Sequence, residues 1–497
     1  MYRQNRLKPN HRKWIILSAF FLIGFFLRIY NLPGDWMSDS ARDYLYAKHI
    51  VYYQEYPLLG PYAMGSYTFY PPYYYYLLSL PLYINSDLFF PLFLIVLINS
   101  FSIILIYLIV ASLFDNKAGL AASFFFTLSS TQIVYNSTLW SAYIVITPAL
   151  LSILFFTRFL KTKRKKYFRF SLTVASLSAL IHYSALPLIP AFLLWAVCKK
   201  IISFKSIVLN SLLSITPAII LHIPLFIFPN PPVSLFPKIN LWQIFISFFS
   251  PYKLWENYIL YLKSVNILFP DRLFIVLSLA VFIFPLVGLN KKYYFNFRST
   301  ALFLFLLIIV YLSFAPLLYG GCCSHFFTVI SPLFIISLAI SVRRLFLILK
   351  KYPALSLMIF PVLVIFSFFL TKNNALNKNY FHQINNLSNI IARDILSIRK
   401  NKKIEKYDFF RVYYFQDYFS DGTYQLWYFL ENKLKSKIVT IKNNFLTQTG
   451  NGDFIYLLCE NGELNGCQQK FKEYNPGNFR QSILWQDKQY QILRYEE

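Results

Sequence analysis

Acidic side chains are scarce in this chain. Its 497 residues hold 21 Asp and Glu against 48 Lys and Arg, and all charged residues together make up 14%. A soluble protein of this length carries about a quarter. The deficit excludes an ordinary soluble domain. A 57% hydrophobic content and a mean hydropathy of +0.47 say what takes its place. Many apolar runs approach the roughly 20 residues needed to cross a bilayer, so the chain reads as a polytopic α-helical membrane protein. Cysteines number five, and no spacing among them reads as a zinc site. The intramembrane charges and repeated broken helices of a secondary transporter are also wanting. No A-x-A-like site follows the first apolar stretch, which therefore reads as an uncleaved anchor.

Positive charge is plentiful, +27 in formal terms. It sits in short runs between apolar segments: "RQNRLKPNHRK" ahead of the first, "KTKRKK" from Lys161, "KKIISFK" from Lys199, "NKKYYFNFR" from Asn290, and the pairs at Arg343 and Lys350. Short basic loops mark the cytoplasmic side. Outside them no basic face carries base-stacking aromatics, which argues against a nucleic-acid partner. From a cytoplasmic N-terminus, spans are expected near Trp14–Leu32, Leu88–Phe114, Gly119–Tyr135, Tyr143–Leu160, Phe168–Ser184 and Ala185–Val197. Five more are expected near Ile207–Phe228, Leu273–Leu289, Ala301–Tyr319, Phe326–Val342 and Leu355–Leu370. About eleven crossings put the C-terminus outside and every basic loop inside. The stretch from Phe168 to Val197 reads either as two crossings or as one span with a re-entrant piece.

The few acids are then placed unevenly. Eight precede Thr371, and only Asp115 lies inside; Asp35, Asp39, Asp43, Glu55, Asp87, Glu256 and Asp271 lie outside or at the outer boundary. Acids contribute little to orientation, so their placement needs another reason. Four of them share the first outer loop, residues 33–86. Pro33 and Gly34 end the first helix; Ser38 or Asp39 can cap a second one over Asp39 to Ile50. On it Asp39, Arg42, Asp43 and Tyr46 share a face. A Pro-, Gly- and Tyr-rich segment follows, then a helix Tyr73 to Leu80 started by Pro71 and Pro72. In the second outer loop, residues 229–271, "INLWQIFISFF" reads as a helix lying in the interface. Lys253, Glu256, Lys263 and Arg272 come after it. "YGGCCSHFF" sets His325 at the outer end of a span. A carboxylate that takes a proton from a hydroxyl and cations that hold a phosphate leaving group are equipment for chemistry on a phosphate-bearing lipid.

The sequence resembles the GT-C glycosyltransferases, in particular bacterial relatives of the dolichyl-phosphate-mannose protein mannosyltransferases, glycosyltransferase family 39. The matching pieces are "SDSARDYLYAKHI" with "PLLGP", "LWSAYIVITP" from Leu139, "IHYSALPLIPA" from Ile181 and "HFFTVISP" from His325. Number and order of spans match from Trp14 to Leu370. The resemblance implies a GT-C-like fold and transfer of a hexose or pentose, with inversion, from a polyprenyl-phosphate donor to a hydroxyl of a protein, lipid or glycan at the outer face of the cytoplasmic membrane. Asp39 is the position matching the family's catalytic acid, here a general base. Where many members follow that Asp with Glu, this chain has Ser40, and the next acid is Asp43. Binding of a divalent cation (Mg or Mn) by Asp39 and Asp43 is therefore left open.

Candidate contacts to donor or acceptor are Arg42, Asp43, His182, Tyr183, Lys253, Lys263, Arg272 and His325. Plainer roles stand beside these: Asp39 as a helix cap, Arg42 with Asp43 as a structural pair, His182 as a hydrogen-bonded core histidine, Lys253 with Glu256 as an ordinary helical pair. The alternative functions are an envelope polysaccharide polymerase or ligase, and a transporter of lipid-linked saccharide. After residue 371 the composition turns polar. Residues 372–497 are expected to form a small extracytoplasmic α/β domain, with helices around "NNLSNIIARDILSIRKN" and "TYQLWYFLENKL". Strands are expected at "DFFRVYYFQD", "KIVTI", "DFIYLLCE" and "YQILRYEE". Cys459 and Cys467 lie there, where an oxidising compartment permits a disulfide.

Overall fold

The computed structural model describes residues 11–34, 36–63, 68–227, 250–264, 302–313, 324–348, 376–402, 410–415, 422–435, 439–442, 445–448, 454–460, 480–486 and 490–496. By packing, the chain divides into two compact units. One comprises Met1–Gly34, Leu59–Tyr74 and Leu92–Asn374; the other comprises Asp35–Leu58, Tyr75–Pro91 and Ala375–Glu497. Two pieces of the stretch between the first two apolar helices thus fold with the tail.

The first unit is helical. Among its described residues, four helical stretches are long and apolar enough to cross a membrane: His11–Tyr30, Phe89–Leu113, Ser141–Thr162 and Phe204–Ile223. At 1.5 Å per residue the first is about 30 Å long, the thickness of the hydrocarbon core. Tyr183–Cys198, Leu302–Ser313 and Phe327–Arg343 are shorter apolar helices. These correspond to seven expected spans. The segments Leu273–Leu289 and Leu355–Leu370 lie outside the described residues, as does "INLWQIFISFF". The expected span Gly119–Tyr135 is two helices, Asn116–Leu128 and Ser130–Ser137. The break comes at Ser129, whose hydroxyl accepts from Gln132 N–H and so offers the backbone a capped restart. The stretch from Phe168 to Val197 is also two helices, Lys165–Ile181 and Leu188–Cys198. Between them His182 is extended and caps a short 3-10 turn, accepting from Ser184 N–H.

Several polar groups inside this unit bond from helix to helix, as apolar surroundings favour. Thr147 Oγ1 donates to Asn99 Oδ1 at 2.9 Å and lies 2.8 Å from Ser102 Oγ, tying Ile146–Thr162 to Phe89–Leu113. The basic "KTKRKK" run is a tight turn: Lys163 takes a left-handed conformation and its N–H returns to Phe159 O. Gly34 has φ +72°, and a Cβ there would fall 2.5 Å from Thr138 Oγ1 and 2.7 Å from the Ser137 carbonyl oxygen.

The second unit is α/β, with a four-stranded sheet. In chain order its strands are β1 (Phe410–Phe415), β2 (Phe454–Glu460), β3 (Arg480–Gln486) and β4 (Tyr490–Glu496). The order across the sheet is β1-β2-β4-β3; β1 and β2 are parallel and the other pairs antiparallel. A separate hairpin pairs Val439–Lys442 with Phe445–Gln448. Between β1 and β2 the chain passes through the helix Gly422–Leu434, as a parallel pair demands a crossover. The long helix Leu376–Lys402 is fixed to the sheet through Asp394, which accepts from Tyr456 OH at 2.7 Å and pairs with Arg494 at 3.1 Å. Lys433 Nζ joins the two helices, 2.6 Å from both Asn385 Oδ1 and Asn389 Oδ1. Into this unit also folds the loop helix Ser38–Tyr52, followed in the chain by Tyr73–Leu82. The strand at Arg480–Gln486 and the hairpin's second arm were not expected from sequence.

Candidate active site

The loop helix begins at Ser38, and its cap position is Met37, so Asp39 sits in the first turn rather than at the cap. Ser40 supplies the local capping bond, its hydroxyl accepting weakly from Met37 N–H at 3.4 Å. Three and four residues on from Asp39 come Arg42 and Asp43. That spacing is neighbourly on a helix, and the side chains do meet. Arg42 Nη1 lies 2.5 Å from Asp39 Oδ1. Its Nε and Nη2 donate to Asp43 Oδ1 at 3.0 and 2.8 Å. Each guanidinium nitrogen therefore faces a carboxylate.

The two carboxylates are unlike. The Asp39 side chain is 32% exposed and that of Asp43 is wholly enclosed. Asp43 Oδ2 is buried without a partner. Burial is the largest influence on the Asp43 carboxyl and raises it; Arg42 works the other way by charge and hydrogen bonding, and Asp39 raises it again, leaving it at about 7. Burial also opposes the Arg42 charge, but Asp39 and Asp43 together outweigh it and push that group further up. The partners thus move in opposite senses of favour. Arg42 serves two acids and keeps some contact with solvent, whereas Asp43 has one cation, shared, and no water. Charging Asp43 is costly; Arg42 is a permanent cation.

Aromatics complete this face. Tyr46 stacks on Tyr75 with ring centroids 4.4 Å apart and planes within 6°. The Tyr75 ring lies in the helix Tyr73–Leu82, which the tyrosine-rich stretch runs into. In the helical unit, His182 is enclosed: Nδ1 lies 2.8 Å from Ser184 Oγ and the ring stacks on Tyr70 at 5.0 Å. Tyr183 donates to Phe69 O at 2.9 Å and also packs on Tyr70, at 4.5 Å. Lys253 and Lys263 lie on the helix Pro251–Ser264 and His325 in the 3-10 turn Ser324–Ile330, but their side chains are outside the described part of the structure, as is all of Arg272. Cys459 is buried on β2 and disulfide-bonded; Cys467 lies outside the described residues.

Among the described residues no group of three or more His, Cys, Asp or Glu is arranged to hold a metal ion. The pair Asp39 and Asp43 does not fit one as it stands, because the guanidinium of Arg42 already lies between them. A divalent cation would share that place with a fixed positive charge.

Residues 70–228 match the family described as dolichyl-phosphate-mannose-protein mannosyltransferase. No curated protein matches the chain in sequence. Solved structures do resemble it. The oligosaccharyltransferase of Archaeoglobus fulgidus in complex with Zn and sulfate aligns over 91% of this chain and 69% of its own, at 16% identity and a TM-score of 0.55. The same enzyme tethered to an acceptor peptide containing an NVT sequon aligns over 96% and 69%, at 14% and 0.57. ArnT from Cupriavidus metallidurans bound to undecaprenyl phosphate aligns over 98% of each chain, at 10% and 0.53. The chain thus shares its fold with these solved proteins, and residues 70–228 match the dolichyl-phosphate-mannose-protein mannosyltransferase family, in agreement with the resemblance to GT-C glycosyltransferases read from the sequence.

Proposed function

We propose that this protein is a membrane glycosyltransferase that moves a sugar from a polyprenyl-phosphate donor to a hydroxyl acceptor, with Asp39 as general base. One observation carries the reading: at the head of the helix after the first membrane helix, a partly exposed carboxylate is oriented by an arginine that a second, enclosed carboxylate holds in place. A base must be reachable and fixed in direction. Asp39 is both. Its proton acceptance frees the acceptor oxygen to attack the anomeric carbon. The bond from that carbon to the phosphate oxygen breaks on the opposite side, and polyprenyl phosphate departs with the electron pair. A single displacement of this kind inverts the anomeric centre.

Because Arg42 is occupied by the two acids, the growing charge on the phosphate falls to the other cations named from sequence, Lys253, Lys263 and Arg272, with His325 as a further phosphate contact. His182 and Tyr183, on Tyr70, are proposed to border the donor. The ArnT complex supports a polyprenyl phosphate as donor carrier, and the tethered oligosaccharyltransferase supports an acceptor of peptide type among protein, lipid and glycan. The Zn complex supports a divalent cation in that enzyme; in this chain Arg42 lies between Asp39 and Asp43, in the place such an ion would take. The reaction is placed at the outer face of the cytoplasmic membrane, with the N-terminus inside, on the strength of the basic loops. Purified protein given synthetic polyprenyl-phosphate sugars carrying a radiolabel should transfer label to acceptor. Asp39→Asn should abolish transfer while leaving the protein folded; undiminished transfer by that variant would remove Asp39 from the role.

A further inference from the structure

The far end of the loop helix carries a second charged cluster that the proposed reaction does not use. Lys48 Nζ lies 3.1 Å from Glu431 Oε2 and 3.1 Å from Asn432 Oδ1. His49 lies between two acids, with Nδ1 2.6 Å from Glu55 Oε2 and Nε2 3.3 Å from Glu431 Oε1. Glu431 Oε1 also accepts from Val439 N–H at 3.3 Å. The side chains of His49 and Glu431 have no exposure at all. Glu431 belongs to the helix Gly422–Leu434 of the α/β tail. That helix runs parallel to the loop helix: Gln425 Nε2 donates to Trp36 O at 3.2 Å, Tyr428 packs on Trp36 and Tyr44 at 4.9 and 5.0 Å, and Glu431 closes on Lys48 and His49.

A buried ionic group is a costly way to stabilise a fold. It is an effective way to fix one register between two helices, because a shift of one turn strands charge in an apolar setting. Lys48 and His49 stand six residues, less than two turns, beyond Arg42 and Asp43 on the same helix, so fixing one end fixes the other. We propose that Glu431 is a positioning residue, which through Lys48 and His49 locks the helix bearing Asp39, Arg42 and Asp43 onto the C-terminal α/β unit. The inference rests on the reading of Asp39 as base, and it gives the tail a defined part in the reaction.

The clamp has a titratable member. The groups facing His49 are Glu431 from the neighbouring helix, Glu55 from the following loop, Lys48 beside it and the ring of Tyr53 at 4.7 Å. Burial would lower its pKa, but the hydrogen bonds and charges of Glu431 and Glu55 prevail and raise it. A raised histidine holds its contribution below its unfolded pKa, about 6.5, and loses it as pH rises through the folded value. The clamp should therefore loosen on the alkaline side.

The test is Glu431→Gln in the full-length protein, read by two measurements. Hydrogen exchange over residues 38–46 should rise roughly tenfold while β2 and β4 keep their protection. In the transfer assay kcat should fall on the order of tenfold to a hundredfold with donor KM little changed, and the alkaline limb of the pH profile should move to lower pH. If Glu431→Gln does not fold, His49→Gln, which spares the Lys48 pair, should raise exchange and lower kcat in smaller measure and should remove the His49 contribution to the alkaline limb altogether. Faster exchange with unaltered kcat would make the cluster merely structural and overturn the proposal. So would unaltered exchange over residues 38–46. If Asp39→Asn proves active, the assignment of the base falls, whereas the exchange measurement still decides the clamp.

Discussion

Asp43→Asn isolates the cost of the enclosed carboxylate. The substitution keeps the shape and keeps an Oδ1 able to accept from Arg42 Nε and Nη2. It replaces Oδ2, which is buried without a partner, by an amide nitrogen. What changes is charge. In the unfolded chain the Asp43 carboxyl titrates at 3.8 and in the fold at about 7. The folded state therefore binds its proton more tightly, and its stability is whole below 3.8 and falls as pH rises towards 7. The full span corresponds to about 4 kcal/mol, of which roughly 3 kcal/mol lies between pH 5 and 8.5. Thermal unfolding of wild type and Asp43→Asn in detergent, followed by tryptophan fluorescence across that range, cancels every other titrating group in the difference. Asp43→Asn should gain on wild type steadily with pH, by several degrees in melting temperature at the alkaline end. A difference that stays constant, or that turns in favour of wild type as pH rises, would show that Arg42 stabilises the charge fully and that burial does not govern this site.

Arg42→Ala leaves Asp43 enclosed without a cation, and at pH 8 it should destabilise the fold by about 3–5 kcal/mol. At pH 5, where Asp43 is protonated, the loss should shrink, and equal losses at both values would refute the pairing. Gly34→Ala sets a Cβ 2.5 Å from Thr138 Oγ1 at a positive φ, which should cost on the order of 2–3 kcal/mol; an unaltered melting temperature would count against that backbone. Peptide mapping without reductant should recover Cys459 linked to Cys467, and linkage of Cys459 to Cys322 or Cys323 instead would refute the pairing read from sequence.

The strongest sequence signals were those of one local period. Apolar runs such as Phe89–Leu113 announce themselves by length alone. The acids at four-residue spacing place Asp39, Arg42 and Asp43 on one helical face, and the structure joins them there. What depends on sequence-distant partners was hidden. Nothing in "DYLYAKHIVY" says that Lys48 and His49 meet a glutamate 383 and 382 positions away. Tyr75 was visible only as one of many tyrosines until its stacking on Tyr46 picked it out. The hairpin arm Phe445–Gln448 did have a signal, the Asn-Asn between two short apolar runs, which suits a two-residue turn. The break at Ser129 was masked by the apolar residues on both sides of it. Pattern reports burial; it does not report where a serine will end a helix.

Ser40, where many members of the family that the sequence resembles have Glu, has a physical reason in this fold. The residue after Asp39 is Ser40, which is fully buried and whose hydroxyl is spent on the Met37 N–H. A glutamate there would set a carboxylate into the packed side of the helix, with no cation shown against it. Asp43 lies one turn beyond Asp39, on the side where Arg42 can reach both. The guanidinium is thus shared by Asp39 and the acid one turn on, and position 40 is left to an uncharged side chain. Ser40→Glu should accordingly cost several kcal/mol, the penalty of an unpaired buried charge, whereas Ser40→Ala should lose only one weak hydrogen bond, about 0.5–1.5 kcal/mol. Comparing the two by melting temperature separates loss of the hydroxyl from burial of a charge. Ser40→Glu as stable and as active as Ser40→Ala would mean that position 40 can turn its side chain towards Arg42. The second acid's place on the helix would then be interchangeable between 40 and 43.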